Sequence, residues 1–171
     1  MKTIAFIVGI LAVTLYFLGY LQKKRRNIII INATSRLLYI IQYILLGAIE
    51  GAVLDIAGIV SSLLAQRKDN SFIKKHLKAV VVAVNIFIII MGLTLYKNIF
   101  SLLPIIGVLL HTGAFWIDNE KQIRRVSFLG SPFWLVYNFV SGAYGSCIGD
   151  VLSMISIGIS MIRYDIKGEK Q

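Results

Sequence analysis

LYIIQYILLGAIEGAVLDIAGIVSSLLAQR, residues 38–67, and FWLVYNFVSGAYGSCIGDVLSMISIGISMI, residues 133–162, are two versions of one pattern. Laid on each other without a gap, they pair Gly47 with Gly142, Ala48 with Ala143, Asp55 with Asp150 and Ser61 with Ser156. Each reads as an apolar helix, a Gly-Ala break, and a second apolar helix with one carboxylate near its start. Neither alternates in polarity at every second residue, as a half-buried strand or a barrel strand would. The pattern predicts a duplicated helical hairpin built for a bilayer.

Composition agrees with that environment. Apolar residues make up 57% of the chain and charged residues 15%, against roughly 45–50% and 25% in soluble domains. Runs of about 18 or more residues almost free of charge recur along the length, as spanning helices require. An ordinary soluble domain is excluded, and the expected class is an all-α polytopic transmembrane helical bundle. The net charge of +10 sits in short basic clusters between apolar runs, which points to membrane topology and not to nucleic acid. Cys147 is the single cysteine. It reads as a small packing residue. The opening MKTIAFIVGILAVTLYFLGYLQ lacks an A-x-A-like cleavage site and reads as a retained first span.

Seven spans can be drawn, at about 3–21, 27–46, 49–66, 79–96, 98–117, 125–141 and 144–163, in a single membrane domain covering 1–171. The hydrophilic stretch RKDNSFIKKHLK, 67–78, is the one connection that reads as a sizeable loop. Lys and Arg then divide fifteen to two between the two sides, with Arg36 inside a span. The basic side holds Lys23–Arg26, the 67–78 cluster, Lys121, Arg124, Arg125 and the C-terminal Arg163, Lys167 and Lys170. Lys2 and Lys97 lie opposite. This predicts an outside N-terminus and a cytoplasmic C-terminus. The spans group into repeat unit one (3–66), a connector helix (79–96) and repeat unit two (98–163). An odd connector gives both units the same orientation, related by an axis along the membrane normal.

Polar side chains inside lipid are costly and mark packing or function. In the second span Asn32, Ser35, Arg36, Tyr39, Gln42 and Tyr43 recur at steps of three and four, forming one polar stripe. The aligned positions of the sixth span are Ser127, Gly130, Ser131, Trp134, Tyr137 and Asn138. If the two stripes face each other they enclose a solute site, for which Asn32, Arg36, Tyr39, Tyr43, Trp134 and Asn138 are the expected contacts. Arg36 falls near mid-bilayer, and Asp55 across the hairpin is its expected partner. That pair reads either as a structural clamp or as a centre for an anion or carboxylate. Asp150 has no such arginine, because Ser131 holds the position of Arg36. Asp55, Asp150 and His111 are therefore the candidates for ion pairing or proton coupling. Small residues such as Gly51, Gly145 and Gly149 read as close-approach positions, and Trp116 as an interfacial anchor.

No His/Cys/Asp/Glu group has metal-ligand spacing, and no nucleophile elbow, P-loop or dinucleotide fingerprint occurs. The sequence points to no enzyme, no cofactor and no metal. Its expected partners are the lipid bilayer and a small polar or anionic solute. Two functions are open: a small-solute transporter or facilitator, and a non-transporting interaction or lipid-binding protein. A mid-membrane cavity bordered by both stripes would separate them.

The segments LLGAIEGAVLDIAGIVSSL (45–63), SLLPIIGVLLHTGAFWI (101–117) and SPFWLVYNFVSGAYGSCIGDVLSMISIGISMIRYD (131–165) resemble the YgjV family of bacterial inner membrane proteins. The resemblance extends over nearly the whole chain. It implies a location in the cytoplasmic membrane and carries no site residues with it. The layout of three, one and three helices is also similar to that of SWEET and PQ-loop transporters. Here the Pro-Gln motif is absent, and Pro104 and Pro132 align with Ala5 and Leu37.

Overall fold

The Gly-Ala breaks fold as helix ends of one construction. In the structure, a computed structural model that describes residues 2–166, Gly47 (φ 74°) and Gly142 (φ 73°) are the only positive-φ residues among those described. The Gly47 amide donates to the Ile44 carbonyl and the Ala48 amide to that of Tyr43. Gly142 and Ala143 donate in the same way to Phe139 and Asn138. An L-residue in this left-handed conformation would cost roughly 1–2 kcal/mol, so glycine is what lets each helix end in this way.

The chain forms α1 (Lys2–Tyr20), α2 (Arg25–Leu46), α3 (Ile49–Gln66), α4 (Ser71–Lys75), α5 (Leu77–Thr94), a 3-10 turn (Ile99–Ser101), α6 (Leu102–Ala114), α7 (Glu120–Val140) and α8 (Tyr144–Ser160). A π-helical segment, Met161–Ile166, continues α8. There is no strand among the described residues, as the all-α class requires. Among the described residues the α-helices number eight where seven were expected. The extra one, α4, lies in the stretch 67–78 read as a loop, and Asn70 caps it by accepting from the Phe72 amide at 3.1 Å. The expected span 98–117 is shorter than drawn. Asn98 caps the 3-10 turn, and Pro104 sits in the first turn of α6, where an amide has no intrahelical partner anyway. α7 starts at Glu120 instead of 125, because Asn119 accepts from the Gln122 amide at 3.1 Å. Lys121, Arg124 and Arg125, read as loop residues, lie in its first turns. Of the residues counted for topology, Lys167 and Lys170 lie outside the described residues.

Among the described residues, five helices are long and apolar enough to cross a membrane: Thr3–Tyr20, Arg25–Leu46, Ile49–Gln66, Leu77–Thr94 and Tyr144–Ile166. Ile99–Ala114 is apolar but shorter. α7 does not qualify, since it joins a charged first turn to the polar stripe of the sixth span.

Contacts between neighbours run α1–α2–α3–α6–α7–α8 and back to α1, a closed ring. α5 lies outside it against α3 and α6. The ring is polar inside and apolar outside. On α2 the stripe from Asn32 to Tyr43 is buried, while Leu37, Ile41 and Ile44 are exposed. Val82, Ile86, Ile90 and Leu93 of α5 are exposed in the same way. Serines tie the inner faces, since Ser35 donates to the Ala12 carbonyl (2.7 Å), Ser156 to Phe17 (2.8 Å) and Ser160 to Tyr20 (2.8 Å). Such bonds suit a setting where water cannot compete for the carbonyls.

At the end of the ring opposite the glycine corners, arginines bind helix ends. Arg25 donates to the carbonyls of Ala65 (2.8 Å), Ile117 (3.1 Å) and Phe115, holding α3 and α6 to the start of α2. Arg124, at the start of α7, pairs with Asp165 at the end of α8 at 2.5 Å. Lys68 donates to the Trp116 carbonyl (3.2 Å) and pairs with Asp118, holding that carboxyl below its usual range. Trp116, expected at an interface, thus also serves a helix-end contact.

Candidate functional site

The two polar stripes meet. α2 and α7 face each other across the centre of the ring, and all the stripe residues of both helices are buried. The Tyr43 hydroxyl donates to Asn138 Oδ1 at 2.9 Å, and the Tyr43 and Trp134 rings stack with centroids 6.4 Å apart. Arg36, 2% exposed, donates from Nη1 to Asp55 Oδ1 at 2.5 Å and from Nε to Asn32 Oδ1 at 3.0 Å. The tight corner at Gly47 and Ala48 brings Asp55 of α3 alongside Arg36. Asp150 accepts from Asn138 Nδ2 at 2.8 Å. His111 Nδ1 lies 2.5 Å from the Tyr16 hydroxyl, with the two rings stacked at 6.1 Å.

These groups enclose a cavity of about 30 Å³ to which every helix of the ring contributes. α1 gives Tyr16, and α2 gives Arg36, Tyr39 and Tyr43. α3 gives Asp55, α6 His111, α7 Trp134 and Asn138, and α8 Asp150. A buried water needs roughly 10–15 Å³ of such space, so the cavity has room for about two. Close packing explains the small volume. A Cβ at Gly58 would lie 2.6 Å from Arg36 Nη1, and one at Gly107 2.6 Å from Trp134 Cδ1. Arg36 and Trp134 therefore lie against bare backbone of α3 and α6.

Of the expected site residues, the structure brings Arg36, Tyr39, Tyr43, Asp55, His111, Trp134, Asn138 and Asp150 to one cavity. Asn32 does not line it, and instead backs Arg36 from one turn away. Tyr16 was not anticipated. Its signal was a pair of tyrosines, Tyr16 and Tyr20, one turn apart on an otherwise apolar helix. Glu50 was also missed. It accepts from Tyr137 Oη (3.3 Å) and Ser101 Oγ (3.4 Å) and pairs with Lys97 Nζ at 3.4 Å.

An apolar-faced ring of helices around a buried ion pair defines a polytopic α-helical membrane protein. The family model described as "Bacterial inner membrane protein" (Imp-YgjV) matches residues 3–167, and the chain belongs to that family. It is similar to the inner membrane protein YgjV of Escherichia coli (strain K12), at 22% identity over 164 residues, covering 94% of this chain and 80% of the relative. No solved structure matches.

Proposed function

We propose that the protein is a transporter or facilitator of a small polar solute in the bacterial inner membrane. Its central site lies between two parallel three-helix units, 3–66 and 98–163, joined by the connector α5. One observation carries this reading: each of the six ring helices sends a polar or aromatic side chain into the same mid-bundle cavity. Packing alone would be met by pairwise contacts and needs no common centre. The duplication is supported by the matching corners at Gly47 and Gly142. It is also supported by the contact order, in which α1 packs on α8 as α6 packs on α3. Arg25 and Arg124 fit the same scheme, each at the start of its unit's middle helix and bonded to the end of the third.

In this reading α6 and α7 also cross the membrane, with the polar stripe of α7 shielded inside the ring, which gives seven crossings. The basic clusters then put the N-terminus outside and the C-terminus in the cytoplasm. A solute reaches and leaves the central site by movement of the two units against each other. Arg36, Tyr39, Tyr43, Trp134 and Asn138 contact the solute, Asn32 orients Arg36, and Asp55, Asp150 and His111 set the charge.

A ligand should raise the melting temperature of the detergent-purified protein, because it binds the native state alone. At about 100 times its Kd it adds roughly 2.7 kcal/mol, a shift of about 5–10 °C for a chain of this size. The panel is sugars, amino acids, nucleosides, organic anions and small cations. A shift weakened in a folded variant of the cavity lining, Arg36→Gln for an anion or Asp150→Asn for a cation, together with uptake of the same solute into proteoliposomes, is the expected result. No shift across the panel would favour the second reading, a non-transporting membrane protein. The direct Tyr43–Asn138 bridge and the small cavity are what speak for that alternative.

Orientation is tested separately, in a Cys147→Ser background. A membrane-impermeant maleimide should label Lys97→Cys in intact cells and Lys74→Cys only after lysis. The reverse pattern would overturn the proposed orientation.

A further inference from the structure

Two differences between the halves of the ring favour the same half. The first is charge. Asp55 is neutralised by Arg36 at 2.5 Å, but its sequence counterpart Asp150 is met by the neutral amide of Asn138 at 2.8 Å. Ser131 stands where Arg36 would be needed. The cavity lining thus holds one guanidinium and two carboxyl groups, one of them without a cationic partner, with the rings of Tyr16, Tyr39, Tyr43 and Trp134 around them. Aromatic faces attract a cation.

The second difference is at the corners. In the first half Glu50 sits just past the corner, bonded to Tyr137, Ser101 and Lys97. In the second half Gly145 occupies the position of Glu50 and Gln42 that of Tyr137. A groove of about 320 Å³ lies there, lined by Phe6, Gln42, Leu46 and residues 142–145. Gln42 Oε1 accepts from Ser146 Oγ at 3.0 Å. Along α2, Gln42 lies between Leu46 in the groove and Tyr39 in the cavity. Along α8, Ser146 lies between Gly145 in the groove and Asp150 in the cavity, one turn from the carboxylate. This hydrogen bond lies between the residues that line the two spaces.

We infer that the second half is the ligand side: a small monovalent cation enters by the Phe6–Tyr144 groove, passes Gln42 and Ser146, and binds Asp150 against the aromatic rings. The inference rests on the central site proposed above and narrows its ligand from any small polar solute to a cation of ammonium or alkali size. The cavity, at about 30 Å³, is of the size of such an ion and smaller than a sugar or an amino acid.

The test uses the full chain in detergent at fixed pH and ionic strength. Chloride salts of sodium, potassium, ammonium and methylammonium are titrated against N-methylglucamine chloride, following the melting temperature. A saturable shift is expected from at least one of them, and the salt that gives it distinguishes an alkali ion from an ammonium. In Asp150→Asn its Kd should rise at least tenfold. Gly145→Leu fills the groove, where an added Cβ meets nothing closer than 3.5 Å. That variant should keep the shift and slow uptake of the ion into proteoliposomes at least tenfold. A shift that survives in Asp150→Asn, or uptake unchanged in Gly145→Leu, overturns the inference. So does stabilisation by anions or neutral solutes alone, which would leave the central site standing with another ligand. No stabilisation by a solute of any charge removes the central site and the inference together.

Discussion

Asp55→Leu is expected to destabilise the protein by about 3–5 kcal/mol, the cost of leaving one member of a buried ion pair without its partner. Arg36 is 2% exposed and lies under Gly58, so its guanidinium cannot swing away from α3 into water. With Asp55 gone, the bond from Nε to Asn32 is its remaining hydrogen bond to a side chain, and that acceptor is neutral. The informative companion is the double variant Arg36→Met/Asp55→Leu. Removing both charges also removes the desolvation penalty of both, so the double variant should return to within about 1 kcal/mol of the parent or exceed it. Equilibrium unfolding in mixed micelles measures both. If the double variant is as unstable as the single, Arg36 matters through its packing and not through its charge. If the double variant is stable yet has lost all response to ligand, the pair belongs to the site and not to the scaffold.

That pair was legible in the sequence for a simple reason. The Gly47-Ala48 corner is short, so α2 and α3 must lie antiparallel, and an arginine is long enough to reach a carboxylate on the adjoining helix. Asp150 was legible as its unneutralised counterpart because the alignment puts Ser131 opposite Arg36. The contact between His111 and Tyr16 was not. It joins α1 to α6, and helix periodicity gives each face but not the order of helices around a ring. Arg124 was misplaced for a different reason. Counting basic residues reports which side of a membrane a cluster occupies, and it treats every member as solvated. Arg124 is wholly buried while its neighbour Arg125 is exposed. The Asn119 cap, which starts α7 a turn early and turns Arg124 inward, is a one-residue signal that a hydropathy window averages away.

Arg124→Leu is accordingly expected to cost about 3–5 kcal/mol, again by stranding a buried carboxylate. Asp165 has 3% of its side chain exposed, and its Oδ1 lies 2.5 Å from Arg124 Nη1. The guanidinium also lies 5.2 Å from the centroid of the Tyr164 ring. Arg25, at the start of α2, gives a built-in control. It donates to three carbonyls, so Arg25→Leu loses hydrogen bonds from a charged donor, worth about 1.5–3 kcal/mol each at most, and leaves no charge behind. Asp165 is close to the end of the described helix, and unwinding of Met161–Ile166 would let it reach water. The loss in Arg124→Leu should therefore show first as faster hydrogen exchange over 161–166, while Arg25→Leu should loosen the ends of α3 and α6. Nε and Nη2 of Arg124 and Oδ2 of Asp165 have no hydrogen-bond partner among the described residues. The pair is thus incompletely satisfied as it stands, and Arg124→Met/Asp165→Leu should be at least as stable as the parent. A double variant much less stable than the parent would mean that these atoms are engaged in the membrane-embedded protein. The buried arginine would then act as a binding group at this end of the ring and not as a clamp.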